Sequence, residues 1–245
     1  MSTLLAVVLV AALWGAATGL LLPRPAHRFS VPPGEAWRQD CPGGHPVRGW
    51  VAVARCARCP RAESWYGPAT ALLSLSTALA CAALAAATGT RPELVVWLLL
   101  APVGVLLAVV DFRVQRLPDA LTLPFAAAAL ALLGVAALLP EHAGDWLTAL
   151  YGALALGGGY FVLFLINPGG MGFGDVKLAL GTGAVLGWYG WPTLMLGTFA
   201  GFLFGAVYGG VLVVARGAGR KTSIAFGPFL IAGAFTGLLI GAYAA

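Results

Sequence analysis

Apolar residues run in seven stretches, each within the roughly 17–25 residues that a helix needs to cross a bilayer. They are Leu4–Leu22, Ala69–Ala87, Leu94–Val110, Leu121–Leu139, Trp146–Ile166, Leu194–Val214 and Ser223–Ala244. A shorter piece, Val176 to Trp188, is rich in glycine and alanine. It becomes an eighth helix if it is buried among the others, where small residues let backbones approach closely. The one sizeable polar segment, residues 23–66, carries prolines at 23, 25, 32, 33, 42, 46 and 60. It is too short to bury a large core, so it is expected to be loop-rich and in need of a staple. The pattern predicts an all-α polytopic membrane protein of about eight transmembrane helices. Its parts are a first transmembrane helix over 1–22, a small cytoplasmic loop-rich segment over 23–66 and a membrane helical domain over 67–245.

Orientation follows from the basic residues. With the N-terminus outside and eight spans, thirteen of the fourteen, from Arg24 to Lys221, fall on the inner side and only Arg91 outside. Without the short helix, Arg216, Arg220 and Lys221 would lie outside, against the positive-inside rule. No Lys or Arg precedes the first apolar stretch, so it reads as a retained helix and not as a signal peptide.

Composition agrees: 60% of the 245 residues are hydrophobic and 9% charged, against about 25% charged in soluble domains. The net charge of +5 would suggest nucleic acid in a soluble chain. In a membrane protein its location matters more than its sum, and no nucleic-acid partner is expected. Of the four cysteines, Cys81 lies inside an apolar stretch and reads as a packed small residue. Cys56-Ala57-Arg58-Cys59 has the spacing of half a zinc knuckle, with Cys41 and His45 upstream and Gly44 where a second cysteine would complete the other half. His45 could supply the fourth ligand; the alternative is a reduced thiol pair without metal. His142 reads as a solvated loop histidine.

Against this apolar background two acidic positions stand out. Gly170-Met171-Gly172-Phe173-Gly174-Asp175-Val176-Lys177 sets a carboxylate and an ammonium in a glycine-rich turn, and Asp111 ends an apolar stretch ahead of Leu117-Pro118-Asp119. Charges near bilayer depth are costly, so those present usually mark a site. Two carboxylates brought together at the edge of a helix bundle would share one proton, since burial and like charge each oppose the second ionisation. One then acts as general base on water and the other, protonated, hydrogen-bonds the scissile carbonyl. Plainer readings stay open: Asp175 as a helix cap, Asp111 paired with Arg113 or Arg116, Asp119 as an N-cap, and Lys177 tuning Asp175 or binding lipid phosphate.

These residues resemble the bacterial prepilin peptidases, the type IV leader peptidases among membrane aspartic proteases of the Gly-x-Gly-Asp class. Gly172-Phe173-Gly174-Asp175 with Val176-Lys177-Leu178 matches the family's defining motif. Asp111 with Leu117-Pro118-Asp119 and Leu121-Thr122-Leu123-Pro124 is similar to its first aspartate and flank, and Phe226-Gly227-Pro228-Phe229-Leu230 to a signature of the last helix. The resemblance covers Leu94 to Ala245. It implies an aspartic endopeptidase of the bacterial inner membrane that removes the leader of type IV prepilins or pseudopilins at the cytoplasmic face. Asp111 and Asp175 would be its dyad, membrane lipid its surroundings, and no cofactor would be required.

Many members of this family also methylate the new N-terminus with S-adenosylmethionine, an activity associated with two Cys-x-x-Cys pairs. Here the first pair is reduced to Cys41, which counts against both methyl transfer and zinc. Rival readings are a presenilin-like protease, an ion-coupled transporter using the aspartates as proton carriers, and an assembly scaffold. The first lacks its Pro-Ala-Leu motif, the second its inverted repeats, and intact Asp111 and Asp175 weigh against the third.

Overall fold

The computed structural model describes residues 2–60, 63–216 and 224–245. Arg61, Arg220, Lys221 and Ser223, which enter the charge count and the last apolar stretch, lie outside the described residues. Among the described residues the chain forms nine helices: α1 (Ser2–Leu21), α2 (Pro23–Phe29), α3 (Thr70–Thr88), α4 (Glu93–Val114), α5 (Asp119–Ala136), α6 (Trp146–Ile166), α7 (Phe173–Gly187), α8 (Trp191–Arg216) and α9 (Gly227–Ala244). The protein is all-helical. Seven of these helices, all but α2 and α7, are long and apolar enough to cross a membrane.

The short helix settles the ambiguity of its sequence by where it sits. α7 has only 15 residues, yet eleven of them are buried, in the middle of the bundle against α5, α6, α8 and α9. Its contact with α6 is backbone on backbone. A Cβ at Gly152 would stand 2.5 Å from the Gly183 carbonyl oxygen, and one at Gly187 would stand 2.6 Å from the Thr148 carbonyl oxygen. Glycine is therefore required there for the approach itself, as small residues are wherever membrane helices touch closely.

At the end of the bundle away from the polar segment, Glu93 fastens the turns together. It is wholly buried at the start of α4 and accepts from the Tyr189 hydroxyl (3.2 Å) and the Ala143 amide (3.3 Å), with Arg91 at 4.0 Å. The Asp145 carboxylate caps α6 by accepting from the Thr148 amide at 2.8 Å, a bond of a kind that contributes about 1 kcal/mol.

The polar segment is more ordered than its prolines suggested. Pro23 and Pro25 open α2, where a missing N–H costs nothing. α2 then holds the following loops through backbone carbonyls. Arg24 donates to Arg48 O (2.7 Å) and Val53 O (3.0 Å), and buried Arg28 donates to Gly49 O (2.9 Å) while lying 4.0 Å over the Trp50 ring. His27 Nε2 lies 3.1 Å from Asp40 O. Two isolated antiparallel bridges, Asp40 with Pro46 and Arg55 with Trp65, close two tight loops, each carrying part of the cysteine set.

Candidate active site

Asp111 does not lie beyond the end of its helix, as the apolar stretch ending at Val110 suggested. α4 continues to Val114, one further turn past the end of that stretch, so the carboxylate projects from regular helix and is only 4% exposed. Its Oδ2 accepts from the Gly227 amide at 3.0 Å, and neither Arg113 nor Arg116 is its partner. Arg116 instead donates to the Pro32 carbonyl (2.8 Å) and stacks over Trp37. The amide at Gly227 is free to donate because it belongs to the first turn of α9, where backbone N–H groups have no partner within the helix.

Asp175 stands in the first turn of α7, with Gly172 at the N-cap position in extended conformation. Its Oδ2 accepts from the Gly172 amide at 3.2 Å, one half of a capping box. The capping reading is therefore present in the structure, but it occupies one oxygen only. Among the described residues Oδ1 is buried without a hydrogen-bond partner, an arrangement that costs about 1–3 kcal/mol or more for a charged group unless something else meets it.

The two carboxylates are brought within electrostatic reach of each other. Leu117 explains how. Its Cβ would lie 2.8 Å from a Cβ at Gly174, and its Cδ1 3.2 Å from a Cβ at Gly227, so one aliphatic side chain touches both carboxylate-bearing neighbourhoods. Glycine at both positions is what lets Leu117 close the gap. A Cβ at Gly227 would also meet Asp111 Oδ2 at 2.6 Å. Tyr160, 1% exposed on α6, is also within electrostatic reach of Asp175, and its hydroxyl has no partner. It stacks on Phe202 and Phe226, the latter next to Gly227. From the sequence Leu117 stands out only as part of the Leu117-Pro118-Asp119 flank, with no role of its own, and Tyr160 not at all, since an aromatic residue in a membrane helix announces only packing.

Asp119 and Lys177 are placed differently from expectation. Pro118 occupies the N-cap position of α5, and Asp119 is the first helical residue, its side chain making no cap. It pairs instead with Lys177 at 2.6 Å, joining the start of α5 to α7 and leaving Lys177 engaged with Asp119 and the Phe173 ring. Pro228 lines an apolar cavity of about 320 Å³ that runs along α4 from Trp97 to Val109, ending beside Asp111's own helix turn.

The metal-ligand candidates also converge. Cys41, His45, Cys56 and Cys59 offer ligand atoms that all lie within 4.8 Å of one another. Cys41 and Cys59 sulfurs are 3.6 Å apart, and His45 Nδ1 is 3.6, 3.7 and 3.4 Å from the sulfurs of Cys41, Cys56 and Cys59. A tetrahedral zinc ion with its usual bond lengths needs sulfur–sulfur edges of about 3.8 Å and sulfur–nitrogen edges of about 3.5 Å. These four distances fit that ion, and the remaining pairs lie within 4.8 Å. A hydrogen bond from the Arg58 amide holds the Cys56 thiol down at about 7, while desolvation pushes Cys59 up to about 12. Cys81 lies apart from this group, fully buried between α1, α3 and α4, and His142 is exposed in its turn, 2.9 Å from Gly144 O.

A model of the type IV leader peptidase family matches residues 95–210, a range that includes both aspartates. The prepilin leader peptidase/N-methyltransferase of Pseudomonas aeruginosa is 33% identical over 219 residues, 82% of this chain and 71% of that protein. The Escherichia coli (strain K12) protein of the same name is 36% identical over 186 residues, 71% of this chain and 75% of that protein. That of Aeromonas salmonicida is 34% identical over 210 residues, and the match spans just under two thirds of its length, 66%, and 80% of this chain. No solved structure matches. The family motifs, their order and these similarities agree, and the chain belongs to the type IV leader peptidase family.

Proposed function

We propose that this protein is a membrane aspartic endopeptidase that removes the leader of prepilins or pseudopilins, with Asp111 and Asp175 as its catalytic pair. The observation that carries this reading is the pair itself. Two buried carboxylates from distant parts of the chain lie within electrostatic reach of each other, each with one oxygen held by a backbone amide, and among the described residues the other oxygen of Asp175 has no hydrogen-bond partner. In the reaction the ionised member takes a proton from water as that water attacks the scissile carbonyl, and the protonated member hydrogen-bonds the carbonyl oxygen. Collapse of the tetrahedral intermediate breaks the C–N bond, and the amine leaves with a proton from the dyad. The pair titrates as a unit, so the proton belongs to both. An ion-coupled carrier finds no support in the family match.

We place the N-terminus outside and the dyad at the cytoplasmic face of the inner membrane, on the distribution of basic residues. Residues 1–22 form the first transmembrane helix, 23–66 a cytoplasmic segment and 67–245 the protease domain. Zinc held by Cys41, His45, Cys56 and Cys59 would staple the cytoplasmic segment, with all four positions filled by protein and none left for chemistry. The relatives' names pair peptidase with N-methyltransferase; methyl transfer from S-adenosylmethionine stays outside this reading, as no side chain of the site is assigned to it.

Co-expression with a prepilin tests the dyad. Asp111→Asn and Asp175→Asn should each abolish leader removal while the protein still inserts, and normal processing by either variant would refute the assignment.

A further inference from the structure

Beside the cysteine–histidine cluster lies a cavity of about 390 Å³ whose lining includes Arg24, Arg48, Arg55, Arg58 and Tyr66, together with His45 and Cys56. Among the described residues no carboxylate lines it. We propose that this cavity is an anion site that takes a phosphate group, carried by an anionic phospholipid headgroup or by a small soluble phosphate compound.

Three features make it more than a solvated basic surface. First, the arginines come from three places: Arg24 from α2, Arg48 from the stretch after the first tight loop, and Arg55 and Arg58 from the second. Only the fold gathers them, and like charges gather around a cavity at a cost unless an anion repays it. Second, the guanidinium groups are partly organised in advance. Arg24 is anchored by its bonds to Arg48 O and Val53 O, and Arg55 lies 5.6 Å over the Trp65 ring. Among the described residues the buried Nε of Arg24 has no acceptor. Third, a planar guanidinium matches two phosphate oxygens at once, whereas a single carboxylate would engage fewer of the four. A zinc ion with three thiolates and a neutral imidazole would carry a single net negative charge, which leaves most of the arginine charge uncompensated.

Position favours a ligand at the membrane surface. α2 begins only one residue after α1 ends, so Arg24 stands where the chain leaves the apolar layer. Juxtamembrane basic groups attract anionic lipid, each contributing on the order of 1 kcal/mol. The proposal is independent of proteolysis, since none of these arginines contacts Asp111 or Asp175.

The test uses the full-length protein with its metal. Binding is measured by tryptophan fluorescence and thermal shift with the protein in detergent micelles, first by titrating phosphatidylglycerol against phosphatidylcholine as mixed micelles, then by titrating inorganic phosphate. Wild type is compared with Arg48→Gln/Arg55→Gln/Arg58→Gln and with the single exposed-site variant Arg58→Glu; metal content reports folding. We expect at least tenfold weaker binding in the triple variant and a smaller loss in Arg58→Glu. Loss confined to phosphatidylglycerol mixed micelles identifies a lipid headgroup, and loss of inorganic phosphate binding identifies a soluble ligand; both support the site. Equal affinity of wild type and metal-replete variants for both probes, or no binding of either probe by wild type, overturns it.

Discussion

Replacing Gly227 by alanine puts a methyl group where the structure has room for none. The new Cβ would lie 2.6 Å from Asp111 Oδ2 and 3.2 Å from Leu117 Cδ1, whereas ordinary contact begins at 3.4 Å. The carboxylate or the start of α9 must therefore yield by 3.4 − 2.6, or about 0.8 Å. Displacing a reacting group by about 1 Å costs on the order of 100-fold in rate, equivalent to about 2.7 kcal/mol of barrier. The amide that donates to Asp111 survives the substitution, and alanine is the better helix former by up to about 1 kcal/mol. Stability should hold while catalysis falls. Initial rates of leader removal in membranes, at matched protein levels, should drop about 100-fold with the unfolding temperature in detergent little changed. A variant that cleaves at the wild-type rate would show that the Asp111 carboxylate does not need its present position, and the argument for the dyad geometry would fail with it.

Other substitutions probe different parts of the structure. Tyr160→Phe removes a buried hydroxyl that has no partner, so thermal stability should be unchanged or higher, by up to about 1–3 kcal/mol; a fall in unfolding temperature would contradict the environment described. Asp119→Asn breaks the ion pair with Lys177, but the Asp119 side chain is 62% exposed. Its loss should cost no more than about 1 kcal/mol and shrink with added salt, while a larger, salt-independent loss would assign Asp119 to the site itself. Zinc should copurify with the protein and be lost from Cys56→Ser/Cys59→Ser. Because thiolates and neutral imidazole are the binding forms, affinity should fall as pH drops, since Cys59 holds its proton up to about 12, and fall more steeply below about 7, where Cys56 regains its proton as well; metal content independent of pH would count against these ligands.

Much of the membrane architecture was legible because long apolar stretches have few alternatives in a bilayer. α7 was ambiguous for a physical reason: its glycines and alanines lower its hydropathy, and those same residues are what let it pack backbone to backbone in the centre. Asp119 was misread because Pro118-Asp119 looks like a helix start from either residue, and only the backbone shows that proline takes the cap position. α2 was hidden by prolines that mark loops in general but suit the first turn of a helix. For the site, the aspartates and glycines could be named from motifs. The donation from the Gly227 amide to Asp111, and the part Leu117 plays between Gly174 and Gly227, depend on contacts spanning more than fifty residues of chain. The thiol cluster was half readable: the sequence offered Cys56 and Cys59 with Cys41 and His45 upstream, and only the fold shows the four donor atoms gathered within 4.8 Å of one another.

The brevity of α7 has a consequence for the lipid around the protein. Fifteen residues rise about 22 Å along a helix axis, some 8 Å less than the roughly 30 Å hydrocarbon layer. With its far end tied among the turns around Glu93, an α7 standing upright in such a layer would leave the end that carries Asp175 about 8 Å short of the opposite headgroup plane, at a depth that depends on bilayer thickness. Chain length of the host lipid then becomes a control on how readily water and a peptide bond reach the carboxylates, with thinner bilayers bringing the aqueous boundary nearer to Asp175.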